Sequence, residues 1–174
     1  MYFVAVVLLW ASTPTLVKRL YCERISTLVL LTAASSLGAI ALMLASAATR
    51  RLGQVRQYSA RDWAVIVAMG LLGIVGYTSL YYTAFSFGPA GEVNTINYLW
   101  PILLVLFSRP ILGERHDCWT WVGVATSFSG AAGLVAGWRW QTPAPSHLVA
   151  YLSALAGAVC WALFSVLGKR LKYD

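Results

Sequence analysis

The chain has 174 residues, 59% of them hydrophobic and 11% charged, with a formal net charge of +7 and a mean hydropathy of +0.69. A soluble domain carries about 25% charged residues, so so few charges cannot cover a water-facing surface, and a soluble globular domain is excluded. At roughly 20 apolar residues per crossing of about 30 Å of hydrocarbon, the length leaves room for about six or seven membrane helices.

Six apolar stretches follow one another: about 1–20, 27–48, 63–87, 91–112, 119–138 and 147–171. Backbone groups in lipid find no water, so each stretch is expected to be a helix; the alternation a barrel needs is absent. The first stretch lacks a basic leader, contains Pro14 and carries Lys18–Arg19 after its apolar part, so it reads as a retained helix and not a cleaved signal. The expected class is all-α, a polytopic membrane helix bundle.

Orientation follows from the Lys and Arg between helices. Arg50, Arg51, Arg56, Arg61, Arg109, Arg115, Lys169, Arg170 and Lys172 fall on one side, against Lys18, Arg19, Arg24 and Arg139 on the other. The positive-inside rule puts the richer side, and the N-terminus, in the cytoplasm. Trp63, Trp138 and Trp140 near helix ends fit an aromatic belt, and 139–146 is then a periplasmic loop. These basic residues sit in short gaps between apolar runs, which makes them topology signals and argues against nucleic-acid binding. Cys22, Cys118 and Cys160 are odd in number, widely spaced and without a CxxC pair, and read as small apolar fillers.

Lys18–Arg19 is the misfit, because it falls on the outer side. Residues 10–20 read WASTPTLVKRL and residues 161–171 read WALFSVLGKRL, six identities in eleven positions, each closing an expected helix. By the alternation of spans one copy points outward and the other inward, the mark of an inverted repeat beginning again after five helices.

Residues 76–137, GYTSLYYTAFSFGPAGEVNTINYLWPILLVLFSRPILGERHDCWTWVGVATSFSGAAGLVAG, resemble the EamA domain of the drug/metabolite transporter superfamily. The aromatic G-Y…YY-x-A helix, the polar start of the next one, Pro101, the L-G-E-R turn and the small-residue-rich fifth helix carry the likeness. Within the superfamily, E-V-x-x-x-N-Y-L-W-P (92–101) is similar to the aromatic and neutral amino-acid exporter branch. The resemblance implies two inverted five-helix repeats around a central substrate cavity, both termini cytoplasmic. This chain would hold one repeat (1–138) and the first helix of a second (147–174). It departs from the pattern in the second helix, where an arginine is frequent among relatives and TLVLLTAASSLGAIAL has none.

The fourth stretch is the most informative. At about 100° per residue, Asn94, Asn97, Pro101 and Ser108 fall on one face, with Tyr98 alongside and Trp100 offering aromatic surface. Polar groups in lipid turn toward protein or a water-filled cavity, so the amides are candidates to bind a zwitterionic or amide-bearing solute; the alternative is that they glue neighbouring helices. In the third stretch Tyr77, Tyr81 and Phe85 recur every four residues, a wall for flat apolar solutes, with an interfacial belt as the other reading for Tyr82, Phe85 and Phe87. Trp10 and Trp161 lie deep, where a lipid-facing tryptophan is disfavoured. Pro14 and Pro101 break their helices at mid-membrane and are candidate hinges. Glu92, the only carboxylate inside an expected span, is a candidate for proton coupling or for complementing a helix dipole. Glu114 in the L-G-E-R turn is expected to pair with Arg115 or Arg109. Glycines of GVATS and GLVAG in the fifth stretch are expected to pack within the repeat, with a dimer seam as the second use.

Enzyme signatures are absent: no G-x-S-x-G, no H-E-x-x-H and no acidic cluster, while His116 and His147 fall on opposite sides. No cofactor or metal is expected. The reading is a multi-pass inner-membrane carrier that exports small neutral metabolites such as amino acids by alternating access. Its partners are a small-molecule solute, the lipid bilayer and a second copy or second half. The alternative is a truncated or split half-transporter, inactive without a partner half.

Overall fold

A computed structural model describes residues 2–49, 53, 57–136 and 147–171. The RRLGQ segment after the second helix and the loop 139–146, with Trp138 and Trp140, lie largely or wholly outside the described residues. The described residues are helical almost throughout, with no strand among them.

Helix α1 spans Tyr2–Cys22 and α2 Thr27–Ala48. The third crossing is α3 (Ala60–Gly70), a π-helical turn (Leu71–Gly76) and α4 (Tyr77–Phe87), one rod with a widened middle. The fourth is α5 (Ala90–Asn97) and α6 (Trp100–Leu112), interrupted at Tyr98–Leu99. Helices α7 (Cys118–Ala136) and α8 (Leu148–Leu171) follow. The segments 28–48, 60–87, 90–112 and 148–171 are long and apolar enough to cross a membrane, with mean hydropathy from 1.4 to 2.2.

The helix ends are built by local chemistry. Ser59 and Asp62 form a reciprocal capping box at the start of α3. The side chain of Ser26 caps α2, and Asp117 Oδ1 accepts the backbone N–H of Thr120 at 2.9 Å to cap α7. Helix α6 stops at Gly113, whose φ of 71° is left-handed and suits a residue without Cβ.

Helix α8 is the hub. Ala150, Ala154, Ala158 and Ala162 recur every four residues, followed by Val166, and all are buried. Side chains four apart share one helix face, so this row makes a flat stripe on which α4, α5 and α6 lie closely. Tyr81, Ala84 and Phe85 from α4, Val93 from α5 and Val17 from α1 join Ala150 and Ala154 in one core. Phe85 is therefore core and not belt, whereas Phe87 is exposed. By contrast α2 touches α4 yet none of its described residues is buried.

Three expectations change. A Cβ at Gly123, Gly130 or Gly133 would meet nothing within 4 Å, so these α7 glycines do not serve close packing inside the described chain. Glu114 pairs with Lys169 of α8, not with Arg115 or Arg109. Helix α1 also runs unbroken through position 14. Ser12 and Thr13 turn their hydroxyls back onto the Leu9 carbonyl, at 2.8 and 3.1 Å, one turn below the proline.

Candidate functional site

The break in the fourth crossing follows from Pro101. Proline has no backbone N–H to give the carbonyl four residues back, here that of Asn97. Helix α5 ends at Asn97, the Leu99 amide turns to Ile96 at 3.1 Å, and α6 restarts at Trp100 with Pro101 in its first turn, where the missing donor costs nothing. Ser108, near the far end of α6, is buried too, with its Oγ donating to Val105 O and lying 2.7 Å from His116 Nε2.

Opposite the break, α4 presents tyrosines at 77 and 81. Tyr81 Oη donates to Asn94 Oδ1 at 2.8 Å, and Asn97 Nδ2 donates to Tyr77 Oη at 3.3 Å. The two rings stack at 5.4 Å with 14° between their planes. Trp161 of α8 stands 5.0 Å from Tyr77 and Phe164 stands 5.5 Å from Trp161, while Phe85 meets Tyr81 edge-on at 4.7 Å. One row of rings thus runs from α8 across α4.

This row walls a cavity of about 280 Å³ lined by Thr13, Gly73, Ile74, Tyr77, Thr78, Tyr81, Tyr82, Asn94, Asn97, Tyr98, Trp100 and Trp161. None of these side chains is charged. The structure therefore gathers Asn94, Asn97, Tyr98, Trp100, Tyr77, Tyr81 and Trp161 around one space. The side chains of Trp10 and Pro14 lie outside the described residues; Thr13, one residue from Pro14, supplies the α1 contribution. Pro101 borders a second, apolar crevice with Tyr98, Ile102, Gly123 and Phe128.

Hydrogen-bond directions fix what the polar wall can offer. Asn94 Oδ1 is used by Tyr81, which leaves the Asn94 amide protons; Tyr77 Oη accepts from Asn97, which leaves its own hydroxyl proton. Asn97 is 5% exposed, and its Oδ1 is buried with no donor among the described residues. A buried unsatisfied amide is held at a cost to stability. The wall is thus aromatic, uncharged and rich in donors.

Glu92 stands apart from the cavity, accepting a hydrogen bond from the Tyr151 hydroxyl, with His147 Nδ1 3.4 Å from the same hydroxyl. Lys18 Nζ donates to the carbonyls of Phe85 and Gly88 at 3.0 and 2.9 Å at the C-terminal end of α4. At the other end of the bundle Lys169 pairs with Glu114, near His116. The hydrogen bond from Lys169 is the main cause holding the Glu114 carboxyl below its ordinary range, and the Thr120 hydroxyl does the same for Asp117.

Sequence reasoning missed two contributors. The alanine stripe of α8 was visible as four-residue spacing, but alanine carries no chemistry to draw notice. The π-helical turn at Leu71–Gly76, which brings Gly73 and Ile74 to the cavity, had no signal beyond two glycines in an apolar run.

Comparison with known proteins gives a consistent picture. The family model for the EamA-like transporter family matches residues 1–136. An aromatic amino acid exporter, YddG, of Ancylobacter novellus is 33% identical, over 83% of this chain and 54% of its own length. An uncharacterized transporter of Bacillus subtilis, YvbV, is 28% identical over 74% of this chain and 41% of its own. A crystal structure superposes with a TM-score of 0.59 at 34% identity, covering 68% of this chain and 42% of that one. The chain spans about half the length, or less, of the relatives it matches.

Proposed function

Because the chain belongs to the EamA-like transporter family, we propose that it works as a multi-pass carrier of the cell inner membrane, N-terminus cytoplasmic, exporting a small neutral or zwitterionic solute by alternating access. Amino acids with flat apolar side chains are the favoured cargo. The observation that carries this reading is the cavity: aromatic walls, amide and hydroxyl donors and no charged lining residue. Ring faces take a flat apolar group, and the Asn94 and Tyr77 protons suit a carboxylate or carbonyl oxygen. At about 280 Å³ the space lies near the small end of ligand pockets, which run to about 300–1,000 Å³. The relative named as an aromatic amino acid exporter supports the same class.

In this reading Asn94, Asn97, Tyr98, Trp100, Tyr77, Tyr81 and Trp161 contact the solute, with Trp10 as the counterpart of Trp161 in the first repeat. The Pro101 break lets α5 move relative to α6. Glu92 is the coupling carboxylate, since its bond from Tyr151 links a titratable group on α5 to α8. A second half, separately made or continuous, closes the path; the coverage of only about half of each relative supports this. The alternative, a half that is inactive without such a partner, rests on the same coverage and on the open faces of α2 and α7.

The test is uptake of labelled L-phenylalanine by liposomes holding the purified protein, with and without Asn97→Ala. Loss of transport with thermal stability retained is expected, because the unsatisfied Oδ1 leaves with the side chain. Unchanged rate and affinity in Asn97→Ala would remove the pocket assignment. Absence of transport by the chain alone, restored by a partner half, selects the half-transporter reading.

A further inference from the structure

Gly73 lies in the π-helical turn and is buried beneath α8. A Cβ built on it would fall 2.3 Å from Phe164 Cδ2 and 2.4 Å from Phe164 Cγ, closer than the 3.0 Å that real Cβ atoms respect. Cγ is the root of the ring, so a torsion about χ2 cannot move it out of the way. Phe164 is itself seated against Trp161, and Trp161 against Tyr77. Phe164 and Trp161 are half-buried, and where rings touch, a shift of one is passed to the other through that contact. Gly73 and Trp161 both line the cavity, and Phe164 lies against both.

We propose that Gly73 is a positioning residue that sets the largest solute the cavity admits, by letting Phe164 seat fully and thereby holding the Trp161 ring back. The proposal rests on the cavity being the solute site. The absence of one methyl group at position 73 fixes where the α8 end of the ring row stands, and hence the room left between Trp161 and the Asn94–Asn97 wall. The π-helical turn is what brings that glycine under the ring.

The experiment measures equilibrium binding of L-alanine, L-phenylalanine and L-tryptophan to the full-length protein in detergent, for wild type, Gly73→Ala, Phe164→Leu and the double variant. Gly73→Ala should weaken L-phenylalanine by roughly tenfold or more while L-alanine changes less than about threefold, the range a pocket shows for small steric changes. Phe164→Leu in the Gly73→Ala background should bring L-phenylalanine back to within about threefold of wild type. Equal weakening of both probes, or no recovery in the double variant, overturns the proposal. Should Gly73→Ala fail to fold, Phe164→Leu alone decides: a raised ratio of L-tryptophan to L-alanine affinity supports it, an unchanged ratio overturns it. Wild type that binds none of the three sinks the solute-site reading and this proposal together, whereas wild type that binds with unaltered size preference in every variant sinks this proposal alone.

Discussion

The ammonium of Lys18 on α1 donates at 2.9 Å to the carbonyl oxygen of Gly88, 70 residues further along, and at 3.0 Å to that of Phe85. The last carbonyls of a helix lack intrahelical donors, and a cation there also complements the negative end of the helix dipole. A lysine that topology rules would place on the other side is thus held by packing geometry. Lys18→Met should cost about 1.5–3 kcal/mol, the range for hydrogen bonds to charged groups, read as a lowered melting temperature in detergent. Lys18→Arg, which keeps the charge, should lose less; equal losses would show that the carbonyl contacts depend on the lysine's shape and not on its charge.

The repeat-related lysine, Lys169, meets Glu114 instead. Because that contact depresses the folded-state pKa of Glu114 below its ordinary value of 4.5, its contribution is present above that value and is lost as pH falls through the lower folded value. Stability should therefore decline below about pH 4.5, and Glu114→Gln should flatten that part of the profile. Lys169 is well exposed and Glu114 half-buried at the surface, so high salt should mute the effect. A profile unchanged by Glu114→Gln would mean that other carboxylates dominate.

Helix α8 lies close to its neighbours because its buried face is alanine. Ala154→Leu should overpack the contact with α4 and α5 and cost about 1–3 kcal/mol, whereas Leu155→Ala on the partly exposed face should cost much less. Thermal unfolding of the two variants side by side makes the comparison, and equal losses would argue against the stripe as the seat of packing.

Pro101→Ala returns a backbone donor to the Asn97 carbonyl and removes the reason for the Tyr98–Leu99 interruption. The amides around 98–103 should exchange with deuterium more slowly, and transport should slow while solute binding is largely kept. Faster exchange there, or full transport activity, would count against the break as a moving joint.

The helices were legible because lipid leaves backbone groups no partner but their own chain, so apolar runs between charged gaps mark them with little ambiguity. Asn94 and Asn97 could be placed on one face of their helix and Tyr77 and Tyr81 on one face of theirs, since spacing of three or four residues survives within a single helix; that the two faces meet is a tertiary contact. Glu114 was matched to arginines nearby in sequence, whereas its partner lies 55 residues away; contacts of that separation are decided by tertiary packing, which local pattern does not encode. The close seat of Phe164 on Gly73 was invisible for the same reason.

Helix α8 is fastened to the fourth crossing at both ends, by Tyr151 to Glu92 near one and by Lys169 to Glu114 near the other. Between these fastenings α8 is an unbroken rod, about 27 Å long at 1.5 Å per residue, while the fourth crossing carries a joint at Tyr98–Leu99. The arrangement is that of a jointed bow drawn against a stiff string. The span of α8 between Tyr151 and Lys169 therefore sets the separation of Glu92 and Glu114, and any bend at Tyr98–Leu99 has to be taken up at one of these two fastenings or in the packing between them.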